Sequence, residues 1–97
     1  MARLVSRPDA DADVEATFEW YEGELPGLGH QFLKELQLTY DRIAVGPEKY
    51  QRVASEIRRA LLRRFPYAVY FAIEGDDIVV LAVLHAARDP AEWQRRV

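Results

Sequence analysis

The sequence has no cysteine among its 97 residues, which excludes disulfide bonds and thiolate metal sites. It has only two serines, Ser6 and Ser55, and only two lysines, Lys34 and Lys49. No Ser/His/Asp or Cys/His nucleophile system can be assembled, and no glycine-rich phosphate loop is present. No apolar run reaches the roughly 18 residues that would span a bilayer. We therefore expect a cytoplasmic protein without a bound cofactor or metal and without membrane contact.

The charged residues are distributed unevenly along the chain. Thirteen basic and sixteen acidic residues give a net charge of −3, and seven of the acids fall within the first 24 residues. Residues 51–64 reverse the balance, with five arginines and one glutamate. Bulk electrostatics do not draw a chain with this overall charge onto a polyanion. We therefore do not expect direct DNA binding without a partner protein, and we assign the early aspartates to the start of a helix.

Hydrophobic periodicity predicts two helices in the first half of the chain. Residues 2–7 allow a short strand. Apolar residues then recur at spacings of three and four, which predicts a helix over 9–24. The sequence Pro-Gly-Leu-Gly at 26–29 ends this helix, and a second stripe of the same kind runs from Phe32 to Ile43. Together the two stripes predict a helical hairpin.

The second half of the chain carries strand patterns. Residues 47–55 lack periodicity, which predicts a connecting loop. Residues 56–62 alternate only roughly, and we interpret them as an edge strand. Residues 67–74 carry apolar side chains on both faces, and Gly75 marks a hairpin turn after them. Residues 78–84 are apolar without alternation, which predicts a central strand that is covered on both faces.

The C-terminal residues predict a short last helix. Asp89, Pro90 and Glu92 combine an N-cap residue, a proline at the first helical position and a glutamate in the first turn. Trp93 is the large apolar residue that anchors this helix on the sheet. The predicted fold is α+β, with a short N-terminal strand, a helical hairpin packed on a three- to four-stranded antiparallel sheet, and a short C-terminal helix. We expect residues 1–97 to form one domain.

Several short motifs, in this order, carry a resemblance to a known family. They are ADVEA at 12–16, EWYE at 19–22, PGLG at 26–29 with Phe32 and Leu33, IRR at 57–59, FPY at 65–67, VLH at 83–85, RDP at 88–90, and Trp93. Together they resemble the RelE/ParE toxin superfamily, and above all its ParE-like, plasmid-stabilisation branch. The resemblance covers nearly the whole chain. It implies the toxin of a bacterial type II toxin–antitoxin system, with a cognate antitoxin as its partner.

The resemblance leaves two targets, because RelE-type toxins cleave messenger RNA on the ribosome whereas ParE-type toxins poison DNA gyrase. The ribonuclease branch uses arginine and lysine to stabilise phosphate, and a C-terminal tyrosine or histidine to move protons. Arg88 matches the arginine after the last strand, but Trp93 stands where the tyrosine would be, and indole does not transfer protons usefully. The match favours a gyrase-binding toxin that is not an enzyme. A metal-independent endoribonuclease and a non-toxic interaction module are the alternatives.

Seven residues are candidates for contact with the target or the antitoxin, namely Arg58, Arg59, Arg64, Tyr67, His85, Arg88 and Trp93. Arg58 and Arg59 are neighbours on a strand, so they point to opposite faces. Each candidate has a structural alternative, such as a solvated arginine, a buried tyrosine, or a histidine that bonds the terminal turn. If the protein is a ribonuclease, His85 and Arg88 are the catalytic candidates. We expect the antitoxin to cover the second face of strand 78–84, which the helical hairpin does not cover.

Overall fold

A helical hairpin lies on one face of a five-stranded sheet in the computed structural model, which describes residues 2–96. The elements are β1 (Arg3–Ser6), α1 (Pro8–Glu24), α2 (Leu28–Val45), a 3-10 turn (Pro47–Lys49), β2 (Arg52–Ala54), β3 (Ile57–Leu61), β4 (Tyr67–Glu74), β5 (Asp77–His85) and α3 (Ala91–Gln94). The predicted α+β fold is confirmed. Met1 and Val97 of the predicted domain lie outside the described residues. Among residues 2–96, no helix combines the length and apolar character needed to cross a membrane.

The sheet differs from the prediction in strand number and direction. Its order is β1-β5-β4-β3-β2, and β1 runs parallel to β5 whereas the other pairs are antiparallel. The sheet is therefore mixed and has five strands. Strand β2 lies inside the segment 47–55 that the sequence predicts as a loop. The sequence does not reveal this strand because three residues are too few to show a period. Since β2 pairs with β3, the prediction that β3 forms an edge strand is wrong.

Two glycines and a glutamate set the turn between α1 and α2. Gly27 has φ +91°, a conformation that favours glycine. A Cβ on Gly29 would lie 2.6 Å from the Glu22 side chain and 2.7 Å from the Phe18 carbonyl oxygen, so the helices touch at this point. The Glu22 carboxylate accepts a hydrogen bond from the Gly29 N–H at 2.8 Å. Hydrogen bonds from backbone N–H groups lower the pKa of Glu22, and the one from Gly27 has the largest effect. Partial burial of the carboxylate acts in the opposite direction.

The hairpin buries the main core against the sheet. Phe32 and Ile43 of α2 are fully buried, as are Val69, Phe71 and Val80 of the two central strands. Strand β5 carries one extra residue opposite the step from Tyr70 to Phe71. The irregularity reverses which face the β5 side chains after Leu81 occupy, while the run is apolar throughout because both faces of β5 are buried.

Helix α3 covers much of the opposite face of the sheet. Trp93 is buried and stacks on Tyr70, with 4.9 Å between ring centroids and 17° between ring planes, which confirms its predicted anchoring role. The second face of β5 is therefore not open as expected, since Val79 and Leu84 are buried within this chain. The large apolar side chain that stays most exposed on this face is Leu61 of β3, at 57%.

An ion pair between Arg96 and Asp13 connects the C-terminal segment to α1 and to the sheet. Arg96 donates to both Asp13 carboxylate oxygens, at 2.6 and 3.1 Å, and the same carboxylate accepts the Val83 N–H at 3.0 Å. Arg96 also donates to the Leu81 carbonyl at 3.4 Å. Both charged side chains are largely buried, at 20% and 12% exposure, and the hydrogen bonds to Asp13 raise the pKa of Arg96. Because β1 pairs with β5 only as far as Val80, these two side chains satisfy backbone groups of β5 beyond the end of β1.

Replacing Asp13 with alanine should lower the free energy of unfolding by about 3–5 kcal/mol, because it leaves Arg96 partly buried without a counter-ion and the Val83 N–H without an acceptor. Urea unfolding of the variant measures this loss. Glu15→Ala, an exposed acid on the same helix, is the control and should change stability by less than about 0.5 kcal/mol. Equal stability of the two variants would contradict this role for Asp13.

Candidate functional site

A cleft between α1 and the ends of β4 and β5 brings three of the seven candidate residues together. Its volume is about 500 Å³. The residues that line it are Ala16, Thr17, Trp20, Tyr21, Pro66, Tyr67, His85 and Arg88. We call it the α1–β5 cleft. Tyr67, His85 and Arg88 were candidates from the sequence, whereas Trp20 and Tyr21 were not.

The turn that follows β5 fixes one wall of the α1–β5 cleft. Tyr67 and His85 are partners in the antiparallel register of β4 and β5, and their rings lie 5.4 Å apart. The Ala86 N–H donates to the Pro66 carbonyl at 2.8 Å, and the Arg88 N–H donates to the His85 carbonyl at 2.9 Å. These bonds hold the turn against the start of β4, so Arg88 stands beside the tyrosine and the histidine.

A hydrogen bond from the turn fixes the tautomer of His85. The Ala87 N–H donates to Nδ1 of His85 at 3.1 Å. A nitrogen that accepts a hydrogen bond carries no proton, so in the neutral ring the proton sits on Nε2. His85 thus offers a ligand a donor rather than an acceptor. This contact with the terminal turn is the structural alternative considered for His85.

The other wall of the α1–β5 cleft is aromatic and comes from α1. Tyr21 lies 5.0 Å from Trp20 and 6.0 Å from Tyr67, measured between ring centroids. Partial burial, together with the neighbouring Tyr67, raises the pKa of Tyr21, so its hydroxyl is protonated at neutral pH. Trp20 is 59% exposed. An exposed indole beside two phenol rings that meet edge to face is a surface available to a ligand.

Arg88 brings positive charge to the α1–β5 cleft. It lies 3.6 Å from a Glu92 carboxylate oxygen, and Arg95 lies 3.7 Å from the other oxygen of the same group. Ion pairs as exposed as these contribute about 1 kcal/mol or less. Because one carboxylate is shared by two guanidinium groups, Glu92 does not fully neutralise Arg88.

Arg59 and Trp93 lie on the opposite face of the sheet, around Tyr70. The Arg59 guanidinium carbon is 5.9 Å from the Tyr70 ring centroid, while Trp93 stacks on the same ring. Arg59 also donates to the Ala86 carbonyl at 3.3 Å, and its Nε is buried without a hydrogen-bond partner among residues 2–96. This group supports the turn after β5 from the other side of the sheet. It therefore neighbours the α1–β5 cleft without lining it.

Arg58 and Arg64 lie apart from both groups. Arg58 points to the face opposite Arg59, as the strand alternation predicts, and donates to the carbonyl oxygens of Glu48 and Tyr50 at 3.1 and 2.8 Å. It braces the segment before β2. Arg64 has φ +72° in the loop between β3 and β4, and its guanidinium lies 3.5 Å from the Gln31 amide oxygen. The seven candidates thus occupy four separate places in the structure.

The acidic residues at the start of α1 lie where the helix dipole favours negative charge. Within residues 2–96, no three side chains of aspartate, glutamate or histidine gather in a geometry that would hold a metal ion. Asp9 and Asp11 are exposed in the first turn of α1, where the helix dipole favours negative charge. The residues that line the α1–β5 cleft can contact a ligand in three ways, by aromatic contact, by donating hydrogen bonds and by attracting an anion.

Comparisons with known proteins identify the family. A family model described as the ParE toxin of the type II toxin–antitoxin system parDE matches residues 4–90. A solved structure, described as the chromosomal ParDE TA system from P. aeruginosa, is similar with a TM-score of 0.79 and 19% sequence identity, covering 88% of this chain and 96% of that chain. At this identity the likeness shows the fold alone. No curated protein matches the sequence. Because the family model spans most of the chain, the protein belongs to the ParE toxin family of type II toxin–antitoxin systems.

Proposed function

We propose that this toxin acts in the cytoplasm by binding DNA gyrase, without cutting RNA. The observation that carries the proposal is the lack of a proton acceptor at the positions where a ribonuclease would need one. Cleavage of RNA without a metal needs a group that takes a proton from the attacking hydroxyl. Nδ1 of His85 is occupied by the Ala87 N–H, and Trp93 is buried on the other face of the sheet. Neither residue supplies the acceptor.

The lysines and the aromatic cleft support the same proposal. Lys34 lies on α2 and Lys49 in the 3-10 turn, and neither lines the α1–β5 cleft. Phosphate stabilisation by a lysine set therefore has no counterpart there. An exposed tryptophan beside an arginine is a combination that dominates protein–protein binding energies. The cleft is suited to recognition of a protein surface.

Expression of the chain in bacteria separates the three functions. We expect filamentous cells with a DNA-damage response, inhibition of gyrase supercoiling by the purified protein, and no cuts in messenger RNA by primer extension. Arg88→Ala should weaken gyrase inhibition through lost binding, whereas Arg95→Ala, which shares the Glu92 contact, is the control.

Two outcomes would contradict gyrase binding. Codon-phased cuts that fall by about 100-fold or more in His85→Ala and Arg88→Ala would establish the ribonuclease. Normal growth with unaffected gyrase would establish the non-toxic module. Arg88→Ala must keep the thermal stability of the parent for its effect to be assigned to binding, which circular dichroism measures.

We propose further that an antitoxin neutralises the toxin by binding beside α3, along β3 and β2. Leu61 is exposed there, Arg63 follows it closely in the chain, and Arg59 lies on the same face of the sheet. An amphipathic segment with apolar and acidic side chains complements this surface. The sequence predicts that the antitoxin covers the second face of strand 78–84. Because α3 covers the β5 side chains of that face, the proposed position lies farther along the same face, on β3 and β2.

Leu61→Glu should abolish co-purification of the antitoxin encoded next to this chain, because it places a carboxylate in an apolar contact and repels acidic side chains. Val45→Glu is the matched control, since Val45 is 70% exposed on α2 on the helical side of the molecule. Pull-down with the tagged antitoxin measures both variants. Loss of binding in Val45→Glu with retention in Leu61→Glu would refute this surface.

A further inference from the structure

We propose that the α1–β5 cleft binds a peptide segment in which a carboxylate side chain stands next to an aromatic side chain. The inference goes beyond the proposed function, because it concerns the chemistry of the ligand and holds for any protein that presents such a segment. It follows from three properties of the cleft, namely the polar groups that line it, the aromatic rings that form its wall, and the charges around it.

The polar groups that line the α1–β5 cleft are rich in donors. Arg88 and Nε2 of His85 only donate, and the phenol O–H groups of Tyr21 and Tyr67 are able to donate. Thr17 directs its hydroxyl to the Asp13 carbonyl, at 2.9 Å. No aspartate or glutamate is among the lining residues. An anionic acceptor is the ligand group that such a lining complements.

The aromatic wall adds an apolar requirement. Trp20 and Tyr21 meet edge to face, with 75° between their ring planes, and Tyr67 continues the wall into the cleft. The volume of about 500 Å³ exceeds what a carboxylate alone fills. A planar side chain placed against Trp20 gains both apolar burial and ring contacts. The ligand therefore combines an anion with an aromatic group.

A nucleic acid also combines anions with planar groups. The charges around the cleft favour a peptide over a nucleic acid. Glu15 and Glu19 are exposed on α1, the helix that carries Trp20. A run of phosphates would meet these carboxylates, whereas a single carboxylate directed at Arg88 would not. Two other acids lie nearby: Asp13 is paired with Arg96, and Glu92 is shared by Arg88 and Arg95. A peptide with one acidic group at this point thus fits the charge pattern.

Nuclear magnetic resonance titration of the purified full chain tests the inference, with the indole N–H of Trp20 as the reporter. The probes are the dipeptide acetyl-Phe-Asp-amide, its neutral analogue acetyl-Phe-Asn-amide, and the dinucleotide pTpT. We expect the aspartate dipeptide to shift the Trp20 signal and to bind at least about 10-fold more tightly than the asparagine dipeptide. Arg88→Gln should remove this preference. Arg95→Gln, which contacts the same Glu92 but does not line the cleft, should retain it.

Three results would overturn the inference. They are equal affinity for the two dipeptides, tighter binding of pTpT than of the aspartate dipeptide, and no shift of the Trp20 signal at about 10 mM probe. The titration contains neither gyrase nor antitoxin. A negative result would therefore reject the ligand chemistry and leave the proposed function to its own experiments.

Discussion

The carboxylate of Asp13 is the point at which three parts of the molecule meet. It belongs to α1, it accepts a backbone hydrogen bond from Val83 of β5, and it binds the guanidinium of Arg96 near the C-terminus. Within the part of the chain that the structure describes, no strand pairs with the outer edge of β5 beyond Val80, and buried backbone groups need partners. Two side chains take the place of the missing strand there, and they orient both α1 and the C-terminal segment in doing so.

The geometry of the α1–β5 cleft depends on this contact. One wall belongs to α1 and the other to the ends of β4 and β5, so the distance between them follows from where Asp13 holds the helix against β5. On the reverse side, Trp93 and Arg59 support the turn after β5 through Tyr70 and the Ala86 carbonyl. The cleft is therefore built on elements held from both faces of the sheet, which favours a preformed surface.

Much of this architecture is readable from local patterns, and the rest depends on distant contacts. The apolar stripes place both helices, and the uninterrupted apolar run identifies β5 as a strand covered on two faces. Pairing between β1 and β5 joins segments about 74 residues apart, which no periodicity within a window reveals. Trp20 does not belong to the apolar stripe of α1, so the sequence alone could have predicted that its side chain is exposed. The role of Asp13 could not be predicted in this way, because the helix dipole already accounts for a group of aspartates at the start of a helix.

The parallel pairing of β1 with β5 affects the order in which the protein folds. The helical hairpin uses contacts close in sequence, which favours its early formation, whereas β1 must wait for a strand that is synthesised about 74 residues later. While a ribosome is still adding β5, the hairpin has no complete sheet to cover and Asp13 has neither of its partners. The α1–β5 cleft is lined by residues of both α1 and β5, so a nascent chain lacks this cleft until β5 has been synthesised.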